Sequence, residues 1–278
     1  MEPHKGVSVI EKTLHTPRIV RDPVAQVGRV FAIVAALICL APIPLVLAVA
    51  TTRVWQRGLW ADGFTLMWLA QGWENSSPYV WFSVRLALLV LGLNMAIGFP
   101  AAWIIARRRF PGRQALLALT MLPIAIPGIA LALALILAYP TWRAGGRLLV
   151  AGHVLYTLPF FIGTLTPALA RPHLRELEYV AATLGSTWWQ RLLYVVLPQV
   201  RGALLAATVI VFTLSMGEFN VSFFLFTPTA RTLPVDLYAA YITGRMEVAA
   251  ATSVWFLVFV IPATIVIERS GGAKVGQA

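Results

Sequence analysis

Residues 171–201 read RPHLRELEYVAATLGSTWWQRLLYVVLPQVR. The stretch is polar, and strongly hydrophobic segments lie on both sides of it. Pro172 suits the first position of a helix, where its missing N–H costs nothing. Leu177, Ala181 and Leu184 recur at helical spacing and mark one apolar face. Gly185 fits the C-terminal cap of that helix, because a positive φ is cheap only for glycine. Thr187, with Gln190 three residues on, makes a capping box for a second helix. Pro198 marks where that second helix ends or kinks. The stretch therefore reads as helix, glycine turn, helix, lying along a membrane face.

The rest of the chain explains why a membrane is involved. Of 278 residues, 59% are hydrophobic and only 12% are charged, against about 25% charged in a soluble domain. A helix needs about 20 apolar residues to cross a bilayer. Six segments qualify: residues 30–51, 80–106, 116–139, 148–169, 203–226 and 248–267. The second and fifth allow a tilted course or re-entrant ends. The expected fold is all-α, a polytopic membrane protein with six transmembrane helices. Residues 1–29 form an N-terminal segment, 30–267 the membrane domain and 268–278 a tail. Pro42, Pro44, Pro123, Pro127 and Pro159 fall within spans, where neighbouring helices and water satisfy the freed carbonyls; they are read as kinks. The polar N-terminal segment is too long and mixed for the start of a cleavable signal, so the first span is expected to be retained.

Orientation follows from lysine and arginine. With the N-terminus inside, fifteen of the 22 basic residues fall on the inner side and seven outside. The positive-inside rule then puts both termini in the cytoplasm and makes 171–201 the longest internal cytoplasmic loop. Arg107, Arg108, Arg109 and Arg113 read as a topology anchor at the anionic inner leaflet. Trp68 and Trp73, in the outer stretch 64–75, suit an interfacial helix at headgroup level. The net charge of +11 is spread over short loops, so nucleic acid is not an expected partner.

Sites of chemistry are few. No Gly-x-x-x-x-Gly-Lys-Ser/Thr occurs, and Lys5, Lys12 and Lys274 are the only lysines. The chain has no P-loop, so any ATP chemistry belongs to a partner. No catalytic motif and no metal-ligand spacing is present among His4, His15, His153 and His173. The lone Cys39 excludes an intrachain disulfide. His153 reads as a structural hydrogen-bonding residue, with proton relay as the alternative. Ionisable and polar groups within spans are costly, so they face a cavity or a partner. Glu218, in SMGEFN, forms with Ser215 and Asn220 a candidate polar patch on a translocation path. The alternative is a Glu at the outer interface paired with Arg85 or Arg231. Asn94 is a second path candidate. Gly98, Ala102 and Ala106 make a small-residue stripe suited to close helix packing.

The polar stretch resembles the EAA loop of ABC importer permeases, the inner-membrane subunits of binding-protein-dependent transporters. That family carries Glu-Ala-Ala, three residues, Gly, and a hydrophobic run ending in Leu-Pro. Here Gly185 is followed thirteen positions later by Pro198, with Leu197 before it. Tyr179 stands where the family has Glu, followed by Val180 and Ala181, and Glu178 is adjacent. The resemblance implies a type I permease architecture. Its helix-turn-helix would be a coupling element, with Glu178, Tyr179, Ala181, Ala182, Gly185, Leu197 and Pro198 meeting a cytoplasmic ATPase dimer that uses ATP and Mg. It further implies a second permease subunit, with a heterodimer favoured over a homodimer. A solute-binding protein would meet the outer loops 64–75 and 227–245. The Gly-Glu-Phe run at Glu218 resembles the branch that carries polyamines, thiamine, ferric iron and aminophosphonates. Polyamine is the favoured substrate, with Glu218 as attractor for a cation; aminoethylphosphonate, thiamine and iron are alternatives. A secondary transporter and an intramembrane enzyme are the competing classes. The first gives no reason for the glycine-turned loop, and the second lacks a catalytic set.

Overall fold

A computed structural model describes residues 23–243 and 245–270. The chain divides into two compact units between Leu45 and Val46. In the first unit, helix α1 (Pro23–Leu40) is apolar and exposed along its described side chains. Helix α2 (Pro42–Ala50) follows. Its Ala50 is buried among Ala250 and Ala251.

Helix α3 runs without interruption from Met67 to Arg107, 41 residues. At 1.5 Å per residue it is about 60 Å long, roughly twice the hydrocarbon core of a bilayer. The stretch read as an interfacial helix is therefore the first part of this rod. Trp73 stacks on Phe259 and tilts against Trp255, at 5.7 and 4.8 Å between ring centroids. The indole N–H of Trp68 donates to the carbonyls of Thr52 and Arg53. Both tryptophans pack on protein. An amphipathic period looks the same whether its apolar side meets lipid or a neighbouring helix.

The third expected span is broken. Helices α4 (Arg113–Ala125) and α5 (Gly128–Ala138) meet at an angle of 105°. Ile126 is extended, with φ −89° and ψ 126°, because the ring of Pro127 disfavours helix in the residue before it. Helix α6 (Arg147–Leu169) is the most buried span. Helix α7 (Pro172–Thr183) and the one-turn α8 (Trp188–Arg191) form the polar stretch. A π-helical turn, Leu192–Val196, leads into α9 (Leu197–Gly217). Pro198 stands in the first turn of α9, just past the π-helical turn that separates it from α8, where its missing N–H costs little. The fifth expected span stops at Gly217. Helix α10 (Asn220–Leu225) is a separate short piece, followed by α11 (Leu233–Ile242) and α12 (Met246–Ser270).

Among the described residues, five helices are long and apolar enough to cross a membrane, and the bent α4–α5 pair makes up to six. The core lies where α3, α6 and α9 pack together, around Leu86, Ile105, Phe161, Leu165 and Val211. The small-residue stripe of α3 has the expected use. A Cβ on Gly98 would come within 2.6 Å of the Phe161 ring, so the Phe161 side chain of α6 seats directly on α3 where Gly98 leaves room. In lipid, such close packing drives helix association.

Candidate functional site

The α7–α8 pair is built by local chemistry. Helix α7 ends in a Schellman motif. Gly185 sits at φ +79°, its N–H donates to Ala182 O, and the Ser186 N–H donates to Ala181 O. These bonds satisfy two of the carbonyls left open at a helix end. The Ser186 hydroxyl adds a second bond to Ala181 O at 2.6 Å. Helix α8 then begins with a complete capping box. Thr187 N–H donates to Gln190 Oε1 at 2.7 Å, and Gln190 N–H donates to Thr187 Oγ1 at 3.3 Å. The guanidinium of Arg191 closes the turn by donating to Ser186 O.

The side of α7 that faces the spans is the one the spacing suggests at Leu177 and Ala181, and it departs at Leu184. Leu174 is buried, while Leu177 and Ala181 are half-buried. Leu184 is 82% exposed, because it caps the last turn and points away from the bundle. Tyr179 is 73% and Val180 59% exposed. Ala182 and Gly185 also lie open, whereas Leu197 and Pro198 belong to α9. Helix α7 thus presents an aromatic and aliphatic crest outward.

Glu178 faces the other way. Its carboxylate accepts from Arg107 of α3 across a gap of 71 residues in sequence. Neither side chain is more than 18% exposed. Arg107 also lies over the Trp103 ring, 5.0 Å from its centroid, and Trp103 meets Trp188 edge-on. Two further arginines cap the end of α3. Arg113 donates to Ile105 O at 2.6 Å and Arg175 to Ala106 O at 2.7 Å. Arg107 and Arg113, read as a lipid-facing anchor, are therefore ties within the protein. The sequence held a signal for this: a run of arginines directly after a long helix can complement its open carbonyls.

The second candidate region lies at the break between α9 and α10. Glu218 is extended, at φ −71° and ψ 118°, and buried. Its two carboxylate oxygens accept from the N–H groups of Val221 and Ser222 at 2.9 and 2.8 Å. Phe219, at the cap position, offers no acceptor, so Glu218 takes that role for α10. No bond joins Glu218 to Arg85 or Arg231. Arg231 pairs with Asp236, and Arg85 donates to Trp81 O. Ser215 is buried against His153 Nδ1 at 2.9 Å, and His153 Nε2 lies 2.8 Å from the Ser222 hydroxyl. His153 is thus the hub of a buried polar chain, a hydrogen-bonding role. Ser215 and Ser222 lie on different helices, α9 and α10, so no helical spacing in the sequence pointed to their shared partner.

Asn94 is buried and donates to Thr157 Oγ1 at 2.7 Å and to Val90 O; its own Oδ1 has no partner. Asn220 is exposed. The break also touches the other broken span: a Cβ on Gly128, the first residue of α5, would stand 3.0 Å from Asn220 Cβ. Of the four path candidates, the structure gathers Ser215, Glu218 and Asn220 at one break. Asn94 belongs to the α3–α6 seam. Among the described residues, no group of three His, Cys, Asp or Glu could hold a metal.

Comparison with known proteins agrees with this architecture. Residues 98–271 match the family described as binding-protein-dependent transport system inner membrane component. The sulfate transport system permease protein CysW of Synechocystis is 30% identical over 218 residues, 72% of this chain and 78% of the relative. CysW of Escherichia coli K12 is 32% identical over 155 residues, 51% of this chain, and the match spans about half, 53%, of that relative. The putative 2-aminoethylphosphonate transport system permease protein PhnV of Salmonella typhimurium is 24% identical over 254 residues, 88% of this chain and 94% of the relative. The family match covers α4 to α12 and with them the helix pair about Gly185 and the break at Glu218. The chain belongs to the binding-protein-dependent transport system inner membrane components, multi-pass proteins of the inner membrane.

Proposed function

We propose that this chain is the permease subunit of an ATP-driven importer. In this reading the α7–α8 pair is the element that a separate cytoplasmic ATPase dimer, using ATP and Mg, moves during its cycle. The observation that carries the reading is the construction of that pair. A Schellman turn and a capping box fix its shape, ties to α3 hold its inner side, and its outer side is left as an apolar crest of Tyr179, Val180 and Leu184. Exposed apolar surface of this kind, rimmed by polar groups, marks a protein contact. The chain would act beside a second permease, as one half of a heterodimer, and would receive substrate from a solute-binding protein at the opposite face. Both termini would lie in the cytoplasm, in keeping with the basic-residue count.

The contact can be tested by cross-linking. Cys39 is the only cysteine, so Cys39→Ser gives a clean background. Tyr179→Cys in that background is expected to cross-link to the ATPase subunit in native membranes. Absence of any cross-link from positions 179, 180 and 184 would overturn the assignment.

For substrate we favour a small oxyanion such as sulfate or a phosphonate over a polyamine. The polyamine expectation rested on the branch resemblance and on Glu218 as attractor for a cation, but both oxygens of Glu218 accept from backbone N–H groups. The names of the relatives, sulfate and 2-aminoethylphosphonate, support the same choice. Asn220 is the path candidate open to substrate, while Asn94, Ser215 and Glu218 hold the surrounding helices in register. Uptake of labelled sulfate, 2-aminoethylphosphonate and putrescine by cells with and without the gene decides the class. Uptake of putrescine alone would refute the oxyanion reading.

A further inference from the structure

We propose that the cleft between the end of α3 and the α7–α8 pair is an oxyanion-binding site, taking a phosphate- or sulfate-type group. Its walls carry Arg107 and Arg108 from the end of α3, Arg175 from α7 and Arg191 from α8, with Trp103 and Trp188 beside them. Four guanidinium groups share this space with one carboxylate, Glu178, an excess of three positive charges. That carboxylate is bonded to Arg107. Arg108 makes no ion pair among the described residues.

The donors are also under-used. The Arg107 side chain is only 10% exposed, and the buried Nε atoms of both Arg107 and Arg175 have no acceptor. Buried N–H groups are nearly always paired, and a guanidinium offers five donors in a fixed fork that matches planar or tetrahedral oxyanions. The Trp103 and Trp188 indoles form an apolar part of the cleft wall beside the guanidinium groups. Two sources present the same chemistry here: a free inorganic oxyanion, including an imported one, and a phospholipid headgroup. Tryptophans at the membrane surface suit the second, and the relatives' substrates suit the first. In either case the ligand competes with Glu178 for Arg107 and so acts on the tie that holds α7 to α3.

The inference builds on the cytoplasmic placement of α7, but its test needs neither transport nor an ATPase. Equilibrium binding of labelled sulfate and phosphate is measured on the purified permease in neutral detergent. Retention of labelled phosphatidylglycerol is measured on the same protein reconstituted in phosphatidylcholine bilayers. Loss of one charged contact is expected to weaken binding by about tenfold, so Arg108→Gln should show that loss while Arg108→Lys retains affinity. Arg57→Gln, which pairs with Asp62 and lies outside the cleft, should bind as wild type. Saturable binding of sulfate or phosphate with this pattern identifies a free oxyanion. Retention of phosphatidylglycerol alone with the same pattern identifies a headgroup. The proposal is overturned if neither ligand binds, or if Arg108→Gln and a folded Arg108→Gln/Arg191→Gln variant both bind as wild type. Thermal unfolding of each variant separates lost binding from lost structure.

Discussion

Glu178 and Glu218 are both acidic residues in or beside apolar segments, and both turn inward. They are satisfied in different ways. Glu178 reaches across the fold to a guanidinium on another helix. Glu218 folds back on its own chain and serves two backbone N–H groups within four residues. The first is a tertiary tie that can be exchanged for another anion or released. The second is part of the local fold of a broken helix in a region with little water, where an unmet N–H has no substitute partner. The surface around Glu178 is therefore suited to regulated contact, and the interior around Glu218 to fixed geometry. Neither carboxylate is left without a hydrogen-bonding partner.

Four substitutions sharpen or break this contrast, from the largest expected loss of stability to the smallest. Glu218→Ala leaves the N–H groups of Val221 and Ser222 without acceptors and is expected to cost about 3 kcal/mol. The change should appear as a clear drop in unfolding temperature in detergent, whatever substrate is present. An unchanged melting curve would mean that α10 does not depend on this cap. Arg107→Ala strands Glu178 in a mostly buried position and should cost about 2 kcal/mol, less than a fully buried pair because some exposure remains. Increased proteolysis within residues 171–201 is the readout, and protection equal to wild type would show that the tie carries no weight.

Gly185→Val forces a β-branched residue to positive φ, at a local cost of about 1–2 kcal/mol. The protein should still insert in the membrane, yet uptake should be lost because the two helices no longer meet at the same angle. Wild-type uptake by an inserted Gly185→Val protein would remove α7–α8 from the coupling role. Tyr179→Ala changes an exposed side chain and should alter stability by less than about 0.5 kcal/mol. Its effect should be confined to weaker recovery of the ATPase on affinity purification. If stability falls as well, the crest is part of the fold and the division between the two regions fails.

The sequence revealed what is written within a few residues. Gly185 as cap and Thr187 with Gln190 as capping box are short-range patterns, each determined by its own backbone, and the structure reproduces them. Membrane spans were legible because lipid demands long apolar runs. Contacts between distant segments were not. Nothing near Glu178 in the chain points to Arg107, and nothing near Trp73 points to Phe259. Pro127 announced a kink, but the size of the bend depends on which neighbours take up the freed backbone groups. Leu184 was misplaced because helical spacing identifies a face only while the helix continues, and the helix stops there. Glu218 was recognisable as a costly residue within a span. Its partners were two residues of its own chain that only the break in the helix makes available.

Helix α3 is held near both extremities. At one end Arg107 and Arg175 fasten it to α7 and Arg113 ties it to the start of α4; toward the other, Ser76 bonds to Asp236 of α11 and Trp73 packs on α12. Between them the Gly98–Phe161 contact acts as a close bearing against α6. A continuous shaft of this length has only Pro78 and Pro100 as points of internal give. One continuous helix therefore joins the surface beside α7 to the surface beside α11 and α12, with Pro78 and Pro100 each lying between a fastened end and the Gly98 contact.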